Sequence, residues 1–313
     1  MNRHQPSGRL VLGLFFALLT TIIWGGLPIV TKLMLAQLDV FTLAWIRFLT
    51  SGVLMAPILI QRYGLVSLLD VKKAPVIMAA CVVGLAGNYL LYMAGLRFLS
   101  PGTAQVVMQL SPMMVLFGGL VIFRERLGRI QWLGFGVLIV GQVLFFNQRF
   151  DALAGEVGVG LLFIVAAAIF WSGYILAQKQ MQSIMPPEAI LLVIYFSCVV
   201  VMLPLAQPLE VVSLSGYYVG LLVLLATMTV TSYICFGSAL NHIEASRSGI
   251  IIALTPITTI IMSYVLIALS PDTMAPESLN VLSWVGALVV VVGSMMGALG
   301  NSEAGTRVKQ ATL

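Results

Sequence analysis

Apolar runs of about twenty residues follow one another along the whole chain, and that recurrence limits the fold more than any other feature. A helix crossing the ~30 Å hydrocarbon core of a bilayer needs about 20 mostly apolar residues. Ten stretches meet that length, at residues 10–31, 40–60, 74–96, 102–123, 130–147, 157–178, 189–207, 216–239, 247–269 and 281–300. Spans five and seven are the shortest. The breaks carry Gly, Pro and nearly all of the charge, as in Gln61-Arg62-Tyr63-Gly64 and Arg124-Glu125-Arg126-Leu127-Gly128-Arg129. The runs are too long for barrel strands and lack their alternation, so strands are excluded as spanning units. Only 9% of the residues are charged, against about 25% in soluble domains, which is too little to coat a surface facing water. The expected fold is an all-α integral membrane protein of ten transmembrane helices whose main surroundings are a lipid bilayer.

The net charge of +5 would suggest nucleic acid in a soluble protein. Here the basic residues are spread over short loops, and topology accounts for them better than a nucleic-acid partner. With the N-terminus in the cytoplasm, the inner segments hold Arg3, Arg9, Arg62, Lys72, Lys73, Arg124, Arg126, Arg129, Lys179, Arg247, Arg307 and Lys309. The outer loops hold Lys32, Arg97 and Arg149, and Arg47 lies within span two. Twelve against three is the asymmetry of a protein of the inner (plasma) membrane with both termini in the cytoplasm. The first apolar run resembles a signal peptide in position. It is too long for one, however, and Lys32 follows without a small-x-small cleavage site, so it reads as a retained helix. Cys81, Cys198 and Cys235 sit singly in apolar runs with no CxxC pair. They read as small core residues, and no metal or cofactor is expected.

The two halves resemble each other. Ile23-Trp24-Gly25-Gly26 matches Phe170-Trp171-Ser172-Gly173. Asn88-Tyr89 pairs with Ser232-Tyr233, Ala94-Gly95-Leu96 with Ser238-Ala239-Leu240, and Leu110-Ser111-Pro112 with Leu254-Thr255-Pro256, all at one offset. Trp132-Leu133-Gly134 pairs with Trp284-Val285-Gly286 about eight positions further apart, which puts the extra residues in the Ser270–Asn280 loop. The division is residues 1–148 and 149–300 for two five-helix repeats, with 301–313 as a cytoplasmic tail. Five is odd, so the second copy enters the membrane from the opposite face. Inverted repeats place a binding site near the midplane between the halves and supply two exchangeable conformations for alternating access.

Ten helices arranged five plus five, Trp-Gly/Ser-Gly in spans one and six, and Ser/Thr-Pro in spans four and nine resemble the EamA family of the drug/metabolite transporter superfamily. The resemblance covers residues 10–300. Arg124-Glu125-Arg126-Leu127 matches the acidic residue that the family carries at the end of span four, whereas Ser270-Pro271-Asp272 stands after span nine with no Glu. The resemblance implies export or exchange of amino acids, nucleosides or related metabolites.

Pro112 and Pro256 lie inside spans four and nine. Proline removes one helix hydrogen bond and crowds the carbonyl four residues back, so the carbonyls of Met108 and Ile252 are candidates for release. Freed backbone in a bilayer must face a cavity, water or another helix. These prolines, and Pro28 in span one, read either as hinges on a solute route or as tolerated kinks. Asn88, Tyr92, Gln105, Gln109, Ser232 and Tyr233 are polar residues at helix centres, with Gln105 and Gln109 on one face; they serve either interhelical bonding or a solute. Trp24 and Trp171 lie too deep for an interfacial belt and, with Tyr174, are candidates for a cavity lining, whereas Trp45, Trp132 and Trp284 lie near span ends and read as belt residues. Arg47 is about seven residues into span two. A charge at mid-membrane costs about 3 kcal/mol on insertion scales. Arg47 therefore snorkels, pairs, or contacts an anion.

No Asp or Glu lies deep inside a span, which disfavours a buried proton-coupling carboxylate and favours a facilitator or exchanger. No phosphate loop, GxSxG, HExxH or dinucleotide fingerprint occurs in a suitable context, so an enzyme is not expected. Gly134, Gly136, Gly141, Gly286, Gly293 and Gly297 mark close helix packing or the face of a homodimer. The reading is a transporter of a small-molecule substrate, an amino acid or similar amphiphile, directed outward. The runner-up is an organophosphate or nucleotide-sugar exchanger, for which Arg47 is the one intramembrane cation, and a non-transport membrane protein stands behind both.

Overall fold

The computed structural model describes residues 9–64, 70–122, 127–147, 155–275 and 279–310. Regular structure among them is helical throughout. Arg124, Glu125, Arg126 and Arg149 lie outside the described residues. Among the described residues eight stretches are long and apolar enough to cross a membrane: Leu10–Met34 (α1), Val40–Gln61 within helix Val40–Tyr63 (α2), Pro75–Phe98 (α3), Pro101–Ile122, Glu156–Met181 (α7), Gly216–His242 (α10), Arg247–Leu269 and Val281–Leu299 within helix Val281–Gln310 (α13). Two of the eight are not continuous helices. The first divides into Pro101–Met108 (α4) and Leu110–Ile122 (α5), the second into Ala245–Ile252 (α11) and Thr255–Leu269 (α12). Arg129–Phe145 (α6) and Pro187–Met202 (α8) are apolar but shorter, at 17 and 16 residues. Pro208–Val212 (α9) is a single turn of helix between α8 and α10.

The helix starts follow local chemistry. Asp39 caps α2 by accepting from the Phe41 and Thr42 amides at 2.7 and 3.2 Å. Ser100 accepts from the Thr103 amide at 3.1 Å, and Pro101 follows at the first turn of α4. Side-chain oxygens there satisfy amides that the helix itself leaves unpaired, and proline loses nothing at such a position.

The longest contacts join sequence-distant helices. α3 lies along α7, α1 along α10, α6 along α13, and α2 packs on α8. α1 also meets α11 and α12, and α7 meets α4 and α5. The ends of the bundle are fixed by polar and close contacts. Lys32 Nζ, near the end of α1, donates to the Leu96 and Leu99 carbonyls at 2.6 and 2.7 Å, near the end of α3. A Cβ on Gly160, near the start of α7, would lie 2.8 Å from Phe98 and Leu99 at that same end. At the opposite end, Gly13 at the start of α1 fits against His242 and Ile243 at the end of α10.

The α6–α13 contact depends on glycine. A Cβ on Gly286 would come within 2.3 Å of the Phe145 backbone nitrogen, and one on Gly141 within 2.5 Å of Val290 N. A Cβ on Gly134 would lie 2.8 Å from the Gly293 carbonyl oxygen, and one on Gly293 2.7 Å from that of Gly134. The small-residue faces seen in the sequence are therefore consumed within one chain. Only Gly136, with nothing within 4 Å, remains open. Side chains such as Val11, Val76 and Val121 point outward, 75–82% exposed, as an apolar surface suited to lipid. Cys81, Cys198 and Cys235 are free and buried.

Candidate functional site

A cavity of about 610 Å³ runs through the centre of the bundle, with walls drawn from α1–α5 and from α7 and α10–α13. Its lining repeats along helix faces: Trp24, Leu27, Pro28 and Thr31 on α1; Gln105, Met108, Gln109, Pro112 and Leu116 along α4 and α5; Thr229, Tyr233, Phe236 and Leu240 on α10. Steps of three, four and seven place such residues on one side of a helix.

Helix breaks sit on this wall. The α4–α5 break is at Gln109, whose amide tightens onto the Val106 carbonyl at 3.3 Å. The Gln109 side chain bridges three segments. Its Nε2 donates to the Ala253 carbonyl at 3.0 Å, in the break between α11 and α12, and its Oε1 accepts from Ser294 Oγ of α13 at 2.8 Å. At the second break the Leu254 amide turns back to the Ile251 carbonyl at 3.0 Å. The expected release of the Ile252 carbonyl is corrected by the geometry. The Thr255 hydroxyl donates to it at 2.5 Å, replacing the N–H that Pro256 lacks. Backbone cut loose from a helix inside a bilayer needs such a partner.

Arg47 lines the cavity and is 7% exposed. Its Nε donates to Thr229 Oγ1 at 3.2 Å, and Thr229 in turn donates to the Leu225 carbonyl at 2.8 Å. The guanidinium carbon lies 4.7 Å from the centre of the Tyr89 ring, a cation–π distance. No carboxylate of the described residues lies within 4.0 Å of it. Arg47 thus points into the bundle, not toward headgroups, and the snorkelling alternative is removed.

The structure brings Trp24, Pro28, Arg47, Asn88, Tyr92, Gln105, Gln109, Pro112, Trp171 and Tyr233 to one cavity. Asn88 Nδ2 also ties α3 to α7 by donating to the Ala167 carbonyl at 2.9 Å. Trp24 packs on Phe236 and Tyr233 with ring centres 5.4 and 6.4 Å apart. Three sequence candidates fall elsewhere. Tyr174 is 1% exposed in the apolar core, where Gly84 sits against its backbone. Ser232 is fully buried and donates to the Thr229 carbonyl at 2.8 Å. Pro256 occupies the first turn of α12, where it starts a helix instead of kinking one. Pro28 leaves α1 unbroken. Thr31, Tyr89, Thr229, Phe236 and Ser294 also line the cavity, unforeseen from sequence. Trp45, read as a belt residue, buries its indole N–H without a hydrogen-bond partner. Trp132 is half exposed beside Phe117. Among the described residues no group of three or more His, Cys, Asp or Glu is placed to hold a metal ion.

The EamA-like transporter family matches this chain twice, over residues 11–147 and 158–298. An uncharacterized transporter of Haemophilus influenzae is 34% identical over 301 residues, spanning 96% of this chain and 97% of its own. YhbE, an uncharacterized inner membrane transporter of Escherichia coli, is 32% identical over 308 residues, 96% of each chain. A probable amino-acid metabolite efflux pump of Salmonella typhimurium is 23% identical over 304 residues, 91% of this chain and 94% of its own. A solved crystal structure has the same fold at a TM-score of 0.63 and 18% identity, covering 94% of this chain and 98% of that one. Apolar helices around a polar-studded central cavity and two family matches that together span the chain lead to one conclusion: it belongs to the EamA-like transporter family and is a multi-pass membrane transporter.

Proposed function

We propose that this protein exports a small amphiphile of the amino-acid class across the inner membrane, by alternating access between two inverted five-helix repeats. Residues 1–148 form one repeat, residues 149–300 the other, and α6 and α8 complete a count of ten spans. The observation that carries this reading is the cavity itself, whose walls come from both halves. The helix pairing supports it, because exchanging the halves leaves the most extensive helix pairs unchanged. α1 with α10 becomes α7 with α3, α1 with α12 becomes α7 with α5, and α2–α8 and α6–α13 map onto themselves. Gln109 bonds to Ala253, 144 positions away, which is the spacing between equivalent residues of spans three and four. A residue touching its own counterpart sits on the axis relating the copies. The start of α7 lies beside the ends of α1 and α3, as oppositely directed copies require.

Gln105, Asn88 and Tyr233 supply hydrogen bonds to the solute, and Trp24 and Trp171 supply an apolar wall. Pro112 and Pro256 mark the breaks about which the halves of spans four and nine rock. The Salmonella relative's printed role in amino-acid metabolite efflux favours the same class of cargo. Among the described residues no Asp, Glu or His lines the cavity, which favours flux driven by the solute gradient or an exchange partner over coupling to protons.

Flux in proteoliposomes, over a panel of amino acids, nucleosides and drugs with and without a pH gradient, tests the reading. Gln109→Ala removes two hydrogen bonds of about 1 kcal/mol each and should slow transport at least about five-fold with insertion intact. Trp171→Ala should impair it as well. Unchanged flux in both variants would remove these residues from the route, and stimulation by a proton gradient would defeat the facilitator mechanism.

A further inference from the structure

Building on the transporter reading, we propose that Arg47 is the solute-recognition residue of the cavity and that its solute is an organic carboxylate with an apolar body.

Arg47 is more than nine-tenths buried, yet its charge has no carboxylate partner among the described residues. Among the described residues only its Nε is hydrogen-bonded, to Thr229 Oγ1, and its guanidinium carbon lies over the Tyr89 ring, 4.7 Å from the ring centre. Thr229 and Tyr89 fix the guanidinium and leave its terminal N–H groups for something else. Among the described residues the cavity lining contains no Asp, Glu, Lys or His, so Arg47 is the one permanent charge among them. Tyr92 lines the same space, and its hydroxyl is buried without a hydrogen-bond partner among the described residues. A buried cation left uncompensated is expensive, and so is a buried orphan hydroxyl. One ligand group resolves both: an anion accepting from the guanidinium and from the phenol.

The choice of anion follows from charge and shape. A guanidinium offers two parallel N–H groups that match a carboxylate bidentately. A phosphate monoester carries a charge of about −1.5 to −2 at neutral pH, more than one cation neutralises in a desolvated site. Trp24, Trp171 and Phe236 on the remaining walls are chemically suited to an apolar or aromatic body, and a space of about 610 Å³ admits a metabolite of modest size.

The test uses the full-length protein in lipid nanodiscs, with binding read by ligand-induced thermal stabilisation. The probes are N-acetyl-L-phenylalanine, its uncharged amide and phenyl phosphate. The carboxylate should bind at least about thirty-fold more tightly than the amide, the loss expected when a buried charge pair is broken. Arg47→Gln should abolish that preference, so that the acid binds no more tightly than the amide. Arg47→Lys, a point charge without the fork, should restore only part of it. Size-exclusion and circular dichroism of each variant report folding, and the comparison of acid with amide on the unmodified protein needs no variant. Equal binding of acid and amide overturns the proposal. So does an acid preference that survives Arg47→Gln, tighter binding of phenyl phosphate than of the acid, or no response to the acid at roughly 10 mM, where even a millimolar site would be filled. Flux of solutes without acid preference would leave transport standing and remove Arg47 from recognition. Acid binding without flux of the same acid would do the reverse.

Discussion

Arg47 shows how much a neighbouring residue decides. Its Nε depends on the Thr229 hydroxyl, which accepts one hydrogen bond and donates another to Leu225. Thr229 is therefore a positioning residue. Thr229→Val should raise the apparent KM for a transported carboxylate about five- to ten-fold, as for one lost hydrogen bond of ~1 kcal/mol, with little change in the maximal rate. Thr229→Ser should restore the KM, and the valine substitution should have no further effect in an Arg47→Gln background. Concentration-dependent flux measures all three. A fall in maximal rate at constant KM would point to a structural role instead. Sequence located Arg47 through its cost in a membrane but gave no signal for Thr229, because threonine is common in spanning helices and bonds readily to its own helix. Choice along a helix face was the other weakness. Ser232 and Tyr233 are adjacent and so point about 100° apart. Only Tyr233 shares a face with Thr229, Phe236 and Leu240. Trp171 likewise reaches the cavity with Ile175, while Tyr174 turns into the core.

Helices were the most legible elements, since the cost of exposed backbone in lipid forces long apolar runs into a single kind of structure. Boundaries shifted by a few residues where a helix runs on past its apolar stretch, as at Met34 and Met181. The proline pair signalled interruptions in spans four and nine, but the breaks fall at Gln109 and at Ala253–Leu254, three or two residues earlier. Proline acts on the turn before it, and the side chains that rescue the freed backbone, Gln109 and Thr255, carry no periodic mark. Glycine spacing marked α6 and α13 as closely packed helices, though not that they pack on each other. That contact gives an element-scale prediction. Gly286→Ala places a methyl group against the Phe145 backbone, which cannot move without parting the helices. It should destabilise the protein by about 1–3 kcal/mol, as overpacking does. Gly136→Ala, in open space, should be neutral or slightly stabilising. Thermal unfolding in detergent separates the two, and equal behaviour would mean that α6 and α13 do not approach closely in the membrane.

Across the molecule, the likeness of the two halves was readable because matched residues kept their spacing over spans three and four. What sequence could not supply was the pairing of helices, since lipid-facing and core-facing residues are equally apolar and periodicity does not separate them. The cavity was legible only as a set of polar and aromatic residues too deep for the interface. It emerges as one space once α1, α3, α7 and α10 cross between the halves. In the proposed mechanism this space opens alternately to the two faces of the membrane. Substituting Cys81, Cys198 and Cys235 by alanine and introducing Gln105→Cys creates one thiol on the cavity wall. Its labelling by a membrane-impermeant thiol reagent, in right-side-out and in inverted vesicles, measures access directly. Alternating access predicts modification from both faces, with rates that change when a transported solute is present. Modification from one face alone under every condition, or from neither, would contradict it.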